Sequence, residues 1–401
     1  VSYLVHSWAR MVQDFEHETV ELVRLDGQRI QLSSPGTSDP YRTFLSATYD
    51  FVDRVLILNL VHGDQVEVEI GGFPDDDHRR GDRLCVYLDQ NQWIKLAQYV
   101  HTPDKLTAPE RAAAETVCRW ARDQRILLPL SGAHLTEIAS ARSRYRNTLV
   151  PLMLELCRGW QMRSPIRVRQ DELRAMFRVR QAGQQTSEEA RPAVFTLEPG
   201  ALFGTDASPP TGGTVPPEFA ELHRRVTWVT AMYSSVLDDE PIERGQADEL
   251  ADRWAKSLHE LAVELKRNTA ARENSRTVIR TRLIVDMRDD VIEAALAAGM
   301  PLERFEAWHT EEAEQDLLAT PYVGTVYEAT HARLRNAGDV WHGHDLNDLL
   351  YLACASAYAD VVACENKAAD YLARAWRSRS GGAKLVKTLP ALVEHLQPIL
   401  R

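Results

Sequence analysis

Long apolar runs, paired cysteines and phosphate-binding glycine loops are all missing from this 401-residue chain. The most apolar stretch, Val55 to Val61, falls far short of the roughly 20 residues that cross a bilayer, so no membrane association is expected. Five cysteines are scattered without a CxxC pair, mostly among apolar neighbours. That pattern excludes a zinc knuckle or a disulfide framework and predicts free buried thiols in a reducing, cytoplasmic setting. Gly381-Gly382 has no Lys-Ser/Thr in the place a phosphate loop requires, and no G-x-S-x-G elbow is present. Nucleotide-loop enzymes and nucleophile-elbow hydrolases are therefore excluded. The opening residues carry no secretory pattern, and the first is Val rather than Met, which leaves the native start open.

What is present is ordinary globular material, 44% apolar and 26% charged, in a length that predicts two or three domains. The net charge of −11 excludes a uniformly basic surface but not a basic patch. Charge is polarised along the chain. Residues 1–80 hold 14 acids against 7 basic residues, whereas Arg142 to Arg180 includes ten arginines against three acids. Arg272, Arg276, Arg280 and Arg282 form a second basic run.

Residues 1–80 read as a small α+β module, with a helix from Tyr3 to Phe15 and a hairpin around Asp26-Gly27. Two further strands, Arg54 to Val61 and Gln65 to Ile70, precede a linker at 71–81. A protein partner or a homo-oligomer contact is the expected use of this module, or of the helical region described next. From Arg83 strands and helices alternate, which predicts a parallel sheet and an α/β class. The strands are Leu84 to Leu88 and Ile126 to Leu130; Pro109 and Glu110 open one helix and Ser131 caps another. Residues 151–337 read as mostly helical, with a flexible loop near 182–217. Strand pattern resumes at Asp360 to Ala363 and Lys384 to Thr388.

Acids fall at the ends of these strands and the starts of these helices. Asp89 closes the first strand, Glu137 opens a helix, Asp345 and Asp348 share one face of a later helix start, and Glu365 and Asn366 follow a late strand. Each alone is as well explained by helix capping or by the helix dipole. Together, at the C-terminal edge of a parallel sheet, carboxylates repel one another unless a divalent cation lies between them. Their order resembles the PIN domain, a family of metal-dependent nucleases acting mainly on RNA. The resemblance covers residues 83–150 and 338–401, carried by Leu88-Asp89-Gln90-Asn91, by Leu130 to Glu137, by Asn347 to Ala353 and by Ala363 to Lys367.

The resemblance implies a three-layer core interrupted by the helical insertion. It implies Mg²⁺ or Mn²⁺ held by Asp89, Glu137 and Asp348, with hydrolysis of a phosphodiester in RNA, or secondarily in single-stranded DNA. Cys364 and Asn366 stand where the family has Thr and Asp, so the fourth ligand is either Asn366 or Glu365; Asp345 is a further candidate. Asn91, Lys95, Arg142, Arg144 and Lys367 are the candidate substrate contacts, and Trp93 is either a base-stacking residue or core. Two other readings compete: a histidine–metal centre at His342-Gly343-His344-Asp345, and a degenerate module that binds RNA or protein without cutting. A toxin, RNA-processing or defence role would each suit the enzyme.

Overall fold

A computed structural model describes residues 7–34, 43–71, 80–140, 143–182, 192–198, 200–203, 215–237, 245–336, 338–377 and 379–400. Among these the chain is mixed α/β and divides into two compact units. The first comprises Val1–Cys85, Trp93–Arg163 and Phe195–Ile242; the second comprises Val86–Gln92, Ser164–Val194 and Glu243–Arg401.

The chain opens with six antiparallel strands: β1 (Trp8–Asp14), β2 (Thr19–Arg24), β3 (Arg29–Ser33), β4 (Phe44–Asp50), β5 (Val55–Leu60) and β6 (Gln65–Glu69). They run in the order β3-β2-β1-β4-β5-β6. Trp8–Asp14, expected as helix, is therefore strand. Met11, Gln13 and Phe15 are buried in turn while Arg10 is exposed, and that alternation of two outweighs the helical composition. β7 (Leu84–Leu88) follows, then α1 (Gln90–His101), α2 (Ala108–Arg122), β8 (Ile126–Leu127), α3 (Gly132–Ser140) and α4 (Ser143–Cys157). The expected strand to Leu130 stops at Leu127, beyond which Leu130 makes one isolated parallel bridge with Gln161. α2 starts in a capping box between Thr107 and Glu110, as the Pro109-Glu110 pattern requires.

In the first unit, the opening residues of β7 pair in parallel with β8, Leu84 with Ile126 and Cys85 with Leu127. Beyond β9 (Gln161–Met162), α5 (Pro165–Ala182) and β10 (Phe195–Thr196), helix α6 (Pro217–Leu237) lays Phe219 edge-on against Trp8 and Phe51 of the first unit. Gly159 has φ +90°, and a Cβ there would stand 2.6 Å from the Glu69 carbonyl and 2.7 Å from Val68 Cγ1. Gly159→Ala adds left-handed strain to a clash with backbone. Chemical denaturation is expected to show a loss of about 2–4 kcal/mol; a loss below about 1 kcal/mol would contradict this packing.

The second unit is built on a helix buried all round. After α7 (Gln246–Arg267), α8 (Thr269–Glu273), α9 (Ser275–Asp286), α10 (Arg288–Ala297), α11 (Leu302–Glu311) and α12 (Ala313–Ala319) comes α13 (Pro321–Leu334). It buries Tyr322, Val323, Val326, Tyr327, Ala329 and Leu334 among α5, α9, α12 and the next two helices, α14 (His344–Tyr358) and α15 (Asn366–Ala375). Between α14 and α15 lies β11 (Val361–Ala363), and β12 (Lys384–Val386) precedes α16 (Leu389–Leu396). β11 is paired in parallel on both sides: Val361 to Ala363 face Val86 to Leu88 of β7, and Lys384 to Val386 of β12. Val-Val-Ala and the apolar run of β7 suit strands covered on both faces. Asp89 and Glu365 thereby emerge side by side at the C-terminal ends of adjacent parallel strands. The expected linker at 71–81 and loop at 182–217 lie largely outside the described residues.

Candidate functional site

The carboxyl ends of β7 and β11 set the geometry. The ladder continues one step past the strands, with the Asp89 N–H donating to the Ala363 carbonyl at 2.9 Å. The Asp89 carboxylate then accepts from two backbone groups: Oδ1 from the Gln92 N–H at 3.1 Å and Oδ2 from the Glu365 N–H at 2.8 Å. Glu365 is in an extended conformation just before α15, and its Oε1 accepts from Asn91 Nδ2. Asp89 is thus locked to both strand ends.

Burial pushes the Asp89 carboxyl up to about 6, against those two N–H donors, with the negative charges of Glu365 and Asp348 adding to the rise. Asp348, one turn into α14, is also pushed up to about 6, by the protein mass around it first and by Asp345 and Glu365 after that, while His344 and Arg333 oppose. The Asp348 side chain is exposed to water, which screens part of that shift. Asp89, Asp348 and Glu365 therefore act on one another as near neighbours within the second unit.

A stability signature follows. In the folded protein Asp89 holds its proton up to about pH 6, whereas the unfolded chain releases it near 3.8. The native state binds more protons between those values, so the stability from this group is present below pH 3.8 and lost as pH rises through 6. The span of about two units corresponds to about 3 kcal/mol at most. Denaturation from pH 4 to 7 is expected to move the stability difference between Asp89→Asn and wild type in the variant's favour by up to that amount. A difference flat with pH would contradict the burial.

The remaining predicted residues are placed as follows. Asp345 is buried and engaged with Arg333, whose Nη2 lies 2.7 Å from its Oδ2, and it also accepts from the His342 N–H at 2.6 Å. Burial alone would raise its pKa, but those partners hold it below the ordinary value. Asn366 begins α15 and is exposed. Lys367 is half-exposed and pairs with Asp339 Oδ1 at 2.6 Å. Lys95 is paired with Glu110 at 2.9 Å within the first unit. Glu137 is exposed on α3, also in the first unit. Arg142 lies outside the described residues, and Arg144 falls within α4. Of the two readings of Trp93 the core one holds: it is fully buried with its ring edge-on to His134. His342 and His344 stack face to face, centroids 5.4 Å apart, and both are exposed.

Sequence reading missed Arg333, Asp339 and Glu172, all of them buried or nearly so. Glu172 of α5 accepts from the Tyr322 and Val323 N–H groups at 2.7 and 2.9 Å and from the Tyr358 hydroxyl at 2.5 Å. Nothing in the spacing of these residues signals burial; only the packing of α13 does.

No family model, curated protein or solved structure matches the chain. Among the described residues, no helix is long and apolar enough to cross a membrane. Nor do three His, Cys, Asp or Glu side chains there come together as one ligand set. The donor set at Asp89 nevertheless suits a hydrated hard cation, which takes one or two carboxylates and keeps several waters. Gln90 and Gln92, which flank it in sequence, are buried with side-chain oxygens that have no hydrogen-bond partner among the described residues.

Proposed function

We propose that the second unit carries a divalent-metal-dependent phosphodiesterase site, a PIN-like nuclease centre with RNA as the substrate, built on Asp89, Asp348 and Glu365. The observation that carries the reading is the emergence of Asp89 and Glu365 side by side at the carboxyl ends of adjacent parallel strands, with Asp348 close enough for its charge to act on Asp89. Such a collection of negative charge costs stability near neutral pH and calls for a countercharge. Asp89 and Asp348 would hold Mg²⁺ or Mn²⁺, with Glu365 beside them. A bound ion of this kind supplies Lewis-acid polarisation of a phosphoryl oxygen and lowers the pKa of bound water.

The chain's own residues account for the rest. The two backbone N–H groups on Asp89 fix both of its oxygens, and Asn91 fixes Glu365. Glu137, implied as a ligand by the resemblance, belongs to the other unit and carries none of this argument.

The second reading is a catalytically degenerate module that binds RNA or protein, favoured by the missing three-residue ligand set and by Asn366 in the place of an acid. Incubating a pool of single-stranded and structured RNA with Mn²⁺, Mg²⁺ or EDTA separates the two. Wild type is compared with Asp89→Asn, Asp348→Asn and Glu137→Gln. Metal-dependent cutting lost in the first two variants supports the nuclease reading. Binding without cutting supports the degenerate module, and cutting that survives both substitutions sinks the proposed site.

A further inference from the structure

Asp89 accepts from the N–H of Glu365, which precedes α15, and feels the charge of Asp348, which lies one turn into α14. One buried cation reaches toward both helix starts. Arg333, near the end of α13, has its side chain only 9% exposed. Its Nη2 donates to Asp345 Oδ2 at 2.7 Å and to the Val340 carbonyl at 3.1 Å, and its Nε lies 3.2 Å from Asp339 Oδ2. The guanidinium rests over the Trp341 ring, 3.9 Å from the centroid. Asp339, 8% exposed, is in turn held from α15 by the Lys367 ammonium at 2.6 Å and the Tyr371 hydroxyl at 2.8 Å. The chain of contacts therefore runs from the first turn of α14 through Arg333 and Asp339 to the first and second turns of α15.

We infer that Arg333 is a positioning residue: through Asp345 and Asp339 it sets the spacing of Asp348 and Glu365 about Asp89. This rests on the metal reading of that acidic group. The guanidinium is what the geometry uses, since Nη2 alone meets both carboxylates and the carbonyl while the group rests on an indole face and Nε stays close to Asp339. A lysine ammonium supplies the charge without the span. Residues that hydrogen-bond a metal's ligands are worth about 10- to 100-fold in metal affinity, and Arg333 acts a step further out, through Asp345 and Asp339, where the lower end applies.

The test measures Mn²⁺ affinity of the full chain by electron paramagnetic resonance, well below the unfolding midpoint, for wild type, Arg333→Lys, Tyr371→Phe and Arg180→Lys. Arg180 pairs with Asp316 at 2.7 Å in the same unit and touches neither helix start, so it reports loss of an ion pair alone. The expected result is at least a tenfold weaker Mn²⁺ affinity in Arg333→Lys, a smaller weakening in Tyr371→Phe, and none in Arg180→Lys. Tyr371→Phe removes one hydroxyl and keeps the inference testable if Arg333→Lys does not fold. Wild-type binding retained in Arg333→Lys and Tyr371→Phe, or lost equally in Arg180→Lys, overturns the positioning role. No Mn²⁺ bound by wild type overturns the metal reading, and this inference with it.

Discussion

Asp348→Asn is expected to lower metal-dependent RNA cleavage by about a thousandfold, equivalent to about 4 kcal/mol, with no loss of fold stability. The two effects separate because of where the carboxyl sits. Its side chain is reached by water, while surrounding protein and the charges of Asp345 and Glu365 disfavour its ionised form. A neutral amide of the same shape removes that repulsion, so the unfolding midpoint at pH 7.5 stays level or rises. Countercharge binding then loses one of its two best-placed carboxylates. Stability gained where function is lost is the pattern expected of a strained charge site, and a structural acid gives the opposite. Cleavage rates and denaturation curves on the same preparation check both halves. A variant that is markedly less stable would make Asp348 a structural residue, and one that still cleaves would remove it from the site.

Glu172→Ala is expected to cost about 4 kcal/mol. The carboxylate comes from α5 to the N-terminus of α13, where the helix presents N–H groups without intrahelical partners. Burial raises its pKa, opposed by the Tyr358 hydroxyl and the two N–H donors, with Arg379 contributing from further off. Deletion leaves the two buried N–H donors of Tyr322 and Val323 without an acceptor, each worth about 1–3 kcal/mol. Because α13 is the helix around which the unit packs, the loss falls on the whole unit. Glu172→Gln keeps one acceptor oxygen and is expected to fall between. Urea denaturation measures both, and a cost below about 1 kcal/mol for the alanine variant would show that the contact contributes little.

The local rules were legible where they act over a few residues. The Asp26-Gly27 hairpin, the Thr107–Glu110 capping box, the buried strands Leu84–Leu88 and Val361–Ala363, and the start of α14 at His344 all follow from spacing and turn chemistry. Trp8–Asp14 was misread because its composition suits a helix, and only pairing with β2 and β4 selects the strand. β4 gave no distinct signal of its own between residues 34 and 53. In the candidate site, Asp89 and Glu365 could be expected at neighbouring strand ends, since parallel pairing brings the carboxyl ends of β7 and β11 together. The partners of Asp345 and Lys367 could not. Arg333 reads in sequence as one more basic residue near a helix end, where a cation is ordinarily solvated. Its burial comes from the close packing of α13 against α14 and α15, a long-range fact that no short pattern carries.

The most direct measurement is an anomalous-scattering map from crystals of the full chain soaked in Mn²⁺ near pH 7.5. The account predicts a single strong peak beside the Asp89 and Asp348 carboxylates, with oxygen ligands at about 2.0–2.2 Å, absent in Asp89→Asn crystals. A peak at the stacked His342 and His344 rings instead, or none at saturating Mn²⁺, would contradict it.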